Sequence, residues 1–127
     1  MSAYILLIED TEDLGEIMRD ILLMNGYQVS WAKDGEEGLQ LFKDTHLDLI
    51  ITDRILPILN GIELIKKIRS GEWMTLIPII MISARTSPED QLEGLKAGAS
   101  LYLSKPCSSS LLIESVKSLL TIYEKQN

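Results

Sequence analysis

The chain has 127 residues, 46% of them hydrophobic and 24% charged, enough for one globular domain with a core of its own. Its net charge of −7 argues against nonspecific or direct nucleic-acid binding, and no apolar stretch approaches the roughly 20 residues that cross a bilayer. No secretory signal opens the chain, and the single Cys107 excludes an internal disulfide and fits a reducing compartment, so a cytoplasmic location without membrane contact is expected.

Strand-like and helix-like segments alternate five times. Residues 4–8 form an apolar run without polar alternation, the signature of a strand covered on both faces, and the run ends in Glu9-Asp10. A helix follows, with Leu14, Ile17, Met18, Ile21 and Leu22 at helical spacing and a stop at Asn25-Gly26. Residues 27–32 read as the second strand, and residues 34–44 as the second helix with Leu39, Leu41 and Phe42 apolar. Residues 47–52 read as the third strand, which ends at Asp53. The third helix is expected over 60–71, with Ile62, Ile65 and Ile68 inward and Lys66, Lys67 and Arg69 outward. Residues 77–83 give a fourth strand ending in Ser83. Ser87 caps the fourth helix, with Pro88 in the first turn and Asp90 three residues after the cap. Residues 97–104 supply a turn and a fifth strand that runs into Lys105. A last helix from Ser108 to about Tyr123 carries Leu111, Leu112, Val116, Leu119 and Leu120.

No repeat or linker interrupts this pattern, so residues 1–127 read as a single domain. Regular βα alternation implies a parallel sheet with right-handed crossovers and helices on both faces. Five strands and five helices fit an α/β, flavodoxin-like (βα)5 fold with strand order 2-1-3-4-5. That order sets strands one and three side by side at the centre, making neighbours of Glu9, Asp10 and Asp53.

Polar groups at the carboxyl ends of parallel strands converge on the rim where open α/β sheets bind ligands. Here the rim carries three carboxylates, a hydroxyl and an ammonium. Carboxylates brought close together repel, and their proton affinity rises unless a cation intervenes. Oxygen-only ligands favour Mg²⁺, with Mn²⁺ an acceptable substitute, over zinc. The formal charges of three carboxylates, Lys105 and one divalent cation cancel. An ionised aspartate beside such a cation can attack phosphorus and form an acyl phosphate. Asp53 is the expected nucleophile, because it ends a central strand, and Glu9 and Asp10 would hold the metal. Lys105 and the Ser83 hydroxyl would neutralise the equatorial oxygens. The five acids between residues 9 and 16 also admit a plainer reading for Glu12, Asp13 and Glu16, as a solvated first helical turn favoured by the helix dipole.

At these residues the chain resembles the receiver domain of two-component response regulators, from about Ala3 to Leu120. The resemblance rests on Glu9-Asp10 after strand one and on Asp53-Arg54-Ile55-Leu56-Pro57-Ile58-Leu59-Asn60-Gly61, where the family has Asp-x-x-Met-Pro-x-x-Asn/Asp-Gly. It also rests on Ser83-Ala84 after strand four, and on Tyr102 three residues before Lys105-Pro106. It implies that Asp53 accepts phosphate from a histidine kinase or phosphotransfer protein, and that the backbone carbonyl of Ile55 joins the metal shell. It further implies a cis Lys105-Pro106 peptide, Ser83 and Tyr102 as switch residues, and a helix 4–strand 5–helix 5 face that changes its protein partner. The domain would be a regulatory switch with only self-catalysed phosphoryl transfer and autodephosphorylation, not a turnover enzyme.

Leu56 and Cys107 depart from the family's usual Met and bulky apolar residue. Leu101 and the missing arginine on helix five weaken the charged dimer interface of one DNA-binding subfamily, which leaves a homodimer open. The chain ends just after helix five, so a free-standing receiver and a piece of a larger regulator or hybrid kinase both fit. Three competing readings are an aspartyl-phosphate hydrolase, a flavin or nucleotide binder, and a receiver that binds partners without phosphorylation. The hydrolase would want an acid where Ile55 stands, and the nucleotide binder a glycine- or hydroxyl-rich phosphate loop where the chain has the acidic run Glu9–Glu16. Arg85 reads as a solvated loop arginine, His46 as a loop residue without metal-binding companions, and Trp31 and Trp73 as partial core cover.

Overall fold

The computed structural model describes residues 2–70 and 75–126. The elements are β1 (Tyr4–Ile8), α1 (Glu12–Met24), β2 (Gln28–Ala32), α2 (Gly35–Asp44), β3 (Leu49–Asp53), α3 (Gly61–Arg69), β4 (Ile79–Ser83), α4 (Pro88–Ala97), β5 (Leu101–Ser104) and α5 (Ser109–Gln126). All strand pairings are parallel and the order is β2-β1-β3-β4-β5. The flavodoxin-like (βα)5 architecture is therefore the one the sequence pattern predicts. Trp73 lies outside the described residues, as does most of the segment around it.

The unbroken apolar runs have a direct cause. Successive strand residues point to opposite faces, and each face meets its own core. Ile5, Leu7, Leu49, Ile51, Ile80 and Ile82 join Met18 and Leu22 of α1 and Leu112 and Val116 of α5. Leu6, Ile8, Ile50, Ile79 and Met81 join Leu64, Ile65 and Ile68 of α3 and Ala97 of α4. A polar residue at either parity of β1, β3 or β4 would be buried, and Thr52, fully buried next to the end of β3, is tolerated because its hydroxyl donates to the Asp53 carbonyl at 2.9 Å.

Capping follows the expected chemistry. Asp34, Asn60 and Ser87 each accept the backbone N–H three residues on, at Glu37, Glu63 and Asp90. Three helix faces differ from the expected ones. The buried stripe of α1 is Gly15, Met18 and Leu22, and Ile17 is 56% exposed, because it stands about 100° round the helix from Met18. In α3 the stripe runs through Gly61, Leu64, Ile65 and Ile68, so Leu64 takes the enclosed place and Ile62 only borders the core. Leu111 is displaced to the surface in the same way beside the buried Leu112.

The β3–α3 turn holds an unusual backbone. Leu59 N–H donates to the Pro57 carbonyl at 2.8 Å, closing a three-residue turn around Ile58 at φ 70°. Left-handed backbone crowds Cβ against the carbonyl and costs an L-residue roughly 1–2 kcal/mol, more for a branched one. The Ile58 side chain is 74% exposed, so little burial offsets that cost. Replacing Ile58 by Gly is expected to stabilise the domain by about 1 kcal/mol, part of the relief being lost to glycine's larger unfolded-state entropy. Urea unfolding midpoints test this; a lower midpoint for Ile58→Gly contradicts it.

Candidate functional site

The alternation that builds the two cores also sorts the polar residues at the strand ends. Continued past the strands, the row of Ile5 and Leu7 reaches Glu9, that of Leu49 and Ile51 reaches Asp53, and that of Leu101 and Leu103 reaches Lys105. The three meet. Lys105 Nζ lies 2.9 Å from Asp53 Oδ1 and 3.2 Å from Glu9 Oε1. Carboxylate oxygens of Glu9, Asp10 and Asp53 all lie within 4.8 Å of one another. Glu9 is 1% and Asp53 4% exposed, whereas Asp10 faces solvent. Ser83, also buried, ends β4 one residue beyond the Asp53 partner Ile82. Its Oγ accepts the Arg85 N–H at 3.0 Å, and its carbonyl accepts the Lys105 N–H at 2.9 Å. The Lys105-Pro106 peptide is cis.

Tyr102 stands apart from this group, on the opposite face. Its ring packs beneath α4 at Gly94, where a Cβ would fall 2.7 Å from the ring, and its hydroxyl donates to the Arg85 carbonyl at 2.6 Å. Ile55 sits in the turn after β3 with its side chain 61% exposed. Arg85 is a surface residue paired with Asp90 at 3.4 Å, and His46 is exposed in its loop. Cys107 is partly buried against the α1–α5 core, and burial pushes its thiol up.

Two residues of this region carry no motif signal in the sequence. Trp31 on β2 donates its indole N–H to the Glu9 carbonyl at 2.9 Å, fastening the turn that bears Glu9 and Asp10. Its ring lies so close to α1 that a Cβ on Gly15 would fall 2.0 Å from it, and Arg19 and Lys33 stand over its face. Arg54, directly after Asp53, is 4% exposed and reaches away from the carboxylates to α4. A lone arginine closing an Ile-rich strand is the only sequence signal for it.

The site's electrostatics follow from burying two acids beside one base. Burial pushes the Asp53 carboxyl up, hydrogen bonding and charge repulsion from Glu9 push it further, and Lys105 only partly offsets them, leaving it at about 8. Burial also raises Glu9, but the hydrogen bonds it receives from Asp53, from the Thr11 N–H and from Lys105 outweigh it and hold it below the usual range. Lys105 is lowered by burial and raised more strongly by the two acids, so it stays charged. At neutral pH Glu9 and Asp53 therefore hold one proton between them, with Asp53 the more basic partner. The lysine is shared thinly: Glu9 Oε1 meets it at 3.2 Å, and Asp53 Oδ2 is buried out of its reach, an arrangement that a cation accepting oxygen ligands would satisfy.

A carboxyl whose folded pKa lies above its unfolded value favours the folded state at low pH. That contribution is lost as pH climbs from 3.8, the unperturbed value, to about 8. In chelator, Asp53→Asn is thus expected to raise the thermal midpoint at pH 8 by several degrees, with the gain shrinking toward pH 4. A gain independent of pH in differential scanning fluorimetry contradicts this assignment.

Comparison with known proteins places this geometry in a family. The family model described as response regulator receiver domain matches residues 5–117. The chain is 40% identical over 129 residues to an uncharacterized transcriptional regulatory protein, YrkP, of Bacillus subtilis, covering 99% of this chain and 54% of that protein. The chain spans about half the length of the curated relatives it matches. Among solved structures, the Francisella response regulator 1452 receiver domain superposes with a TM-score of 0.91 at 33% identity, covering 96% of this chain and 99% of that one. The receiver domain of the Pseudomonas aeruginosa sensor histidine kinase PA1611 was solved with magnesium coordinated in its active-site cleft. It superposes with a TM-score of 0.87 at 28% identity, covering 95% of this chain and 99% of that one. Fold, carboxylate cluster and sequence agree: this chain belongs to the response regulator receiver domain family.

Proposed function

We propose that residues 1–127 work as one phosphoacceptor domain, in the cytoplasm, and that Asp53 is the acceptor. The observation that carries this reading is two buried carboxylates sharing one lysine, which lies 2.9 Å from Asp53 Oδ1 and 3.2 Å from Glu9 Oε1 and leaves Asp53 Oδ2 without a partner among the described residues. Neutral hydrogen-bonding chemistry leaves such a pair unsatisfied; a divalent cation and a phosphoryl group satisfy it.

Glu9, Asp10 and Asp53, with the backbone carbonyl of Ile55, would hold Mg²⁺, or Mn²⁺ in its place, and the magnesium in the Pseudomonas domain supports that choice. When bound, the metal neutralises charge on the phosphoryl oxygens and keeps Asp53 ionised. An Asp53 carboxylate oxygen attacks phosphorus. The bond from phosphorus to its donor breaks, the donor keeps the electron pair, and an acyl phosphate remains. Lys105 pairs with one equatorial oxygen and the Ser83 hydroxyl donates to another, so both act on charge that develops in the transition state. No acid is placed to protonate a leaving group at Ile55, which disfavours a hydrolase. Both transfer and autodephosphorylation are self-catalysed and slow.

The donor is a histidine kinase or a phosphotransfer protein. Ser83 moving toward the phosphoryl group gives up the Arg85 N–H, and Arg85 is the residue whose carbonyl holds the Tyr102 hydroxyl. That chain of contacts carries the change to Tyr102 and the α4–β5–α5 face, which then favours a different protein partner or an effector domain. Leu95 of α4 and Leu111 of α5 are exposed, apolar surface suited to a protein partner or a second copy.

Incubation with Mg²⁺ and acetyl phosphate is expected to add one phosphoryl group by mass, and Asp53→Asn to abolish the gain. A gain that survives Asp53→Asn rejects Asp53 as acceptor. Ile55, two residues after Asp53 and 61% exposed, is proposed to hinder an attacking water, so Ile55→Asn is expected to shorten the phosphorylated lifetime several-fold; equal decay of the two proteins would remove Ile55 from this role.

A further inference from the structure

Arg54 adjoins the proposed phosphoacceptor in the chain and has no part in the chemistry just described. Strand alternation turns it to the opposite face of the sheet from Asp53, toward α4. There the guanidinium is 4% exposed, a burial that a permanently charged group tolerates only when paired and hydrogen-bonded. Every side-chain partner it has lies on one side. It donates to the Asp90 carbonyl at 2.7 Å and to the Glu93 carboxylate, both on α4, and to the Tyr102 hydroxyl at 3.4 Å. The Asp90 carboxylate is farther, at 4.0 Å, and is engaged by Ser87 and Arg85. Glu93 itself is 60% exposed, so the anionic half of this pair sits on the outer surface of α4.

The consequence is mechanical. The backbone of Arg54 is fixed on both sides, its N–H to the Ile82 carbonyl at 3.0 Å and its carbonyl to the Gly61 N–H at 2.8 Å. The guanidinium can therefore follow a shift of α4 only by changing its own rotamers within a buried site. Any displacement that carries Glu93 and the Asp90 carbonyl outward strips partners from a buried charge, and removing one partner of such a pair is strongly unfavourable. The same guanidinium also touches the hydroxyl of Tyr102, which is bonded to Arg85 next to Ser83. One side chain thus joins the end of β3, the start of β5 and the first turns of α4.

We propose that Arg54 is a positioning residue for the phosphorylation switch: its grip on α4 and Tyr102 favours the unphosphorylated arrangement and so lowers the affinity of Asp53 for a phosphoryl group. The inference rests on Asp53 being the acceptor. Coupling between sites is reciprocal. If the Arg54–Glu93 pair stabilises the arrangement that phosphorylation opposes, breaking the pair must strengthen phosphoryl binding at Asp53, although Glu93 is on a different element.

Beryllofluoride with Mg²⁺ is the probe, titrated against the full chain by isothermal calorimetry alongside thermal midpoints. Glu93→Gln and Arg54→Met are expected to tighten beryllofluoride binding by about fivefold or more, while the thermal midpoint falls. The double variant should bind no tighter than the tighter single one, because both break the same pair. Glu93 is a surface residue, so Glu93→Gln keeps the test valid should Arg54→Met fail to fold. A lower midpoint with unchanged or weaker beryllofluoride binding makes Arg54 ordinary structural support and overturns the proposal. Wild-type protein that ignores beryllofluoride, or Asp53→Asn that binds it equally, removes the phosphoacceptor reading instead, and this inference falls with it.

Discussion

Two buried carboxylates and one partly buried ammonium meet at the carboxyl-end rim of the sheet, and the rest of the molecule is arranged around tolerating them. With oxygens within 4.8 Å, two ionised acids would repel by about 3–4 kcal/mol at an effective dielectric constant near 20. That is a large share of the roughly 5–15 kcal/mol by which a domain of this size is stable. Without a metal, the raised proton affinity of Asp53 beside Glu9 favours one proton shared by the pair. In the function proposed above, a divalent cation would meet the repulsion differently and free an Asp53 oxygen for nucleophilic attack. The same burial that makes the cluster unfavourable by itself would then favour metal and phosphoryl binding.

The sheet separates chemistry from its readout by the simplest geometric device available, the two-residue period of a strand. One parity delivers Glu9, Asp53 and Lys105 to the α1–α5 side of the rim. The other delivers Arg54 and Tyr102 to the side of α4, where they touch each other. Ser83 is the link, since its backbone bonds to Lys105 and its hydroxyl to Arg85, the residue that Tyr102 holds. Small residues let these layers approach: Gly94 admits the Tyr102 ring under α4, and Gly15 admits Trp31 under α1.

Much of this was legible in the sequence. Apolar runs too uniform for a half-exposed sheet announced two cores, and βα alternation then left one economical strand order, which brings Glu9 and Asp53 together. Asp34, Asn60 and Ser87 were visible as helix starts because capping is local chemistry. What stayed hidden was non-local or a matter of rotation. Ile17 and Leu111 satisfy helical spacing yet face outward, since spacing fixes a helix face only to within a neighbour of the true stripe. Trp31 and Arg54 serve the site through contacts 22 to 48 residues away, and nothing in their immediate surroundings distinguishes them from core cover or a surface charge. Ile58 was invisible for the opposite reason: its identity argues against the left-handed turn it occupies.

The central claim, that the Glu9–Asp53 pair holds a proton which a divalent cation displaces, is tested most directly by counting protons. Magnesium titrations by calorimetry at pH 7, in buffers of differing ionisation enthalpy, should show close to one proton released per Mg²⁺ bound, with the release fading well above pH 8 and absent in Asp53→Asn. Magnesium binding without proton release, or no magnesium binding at all, would contradict the account.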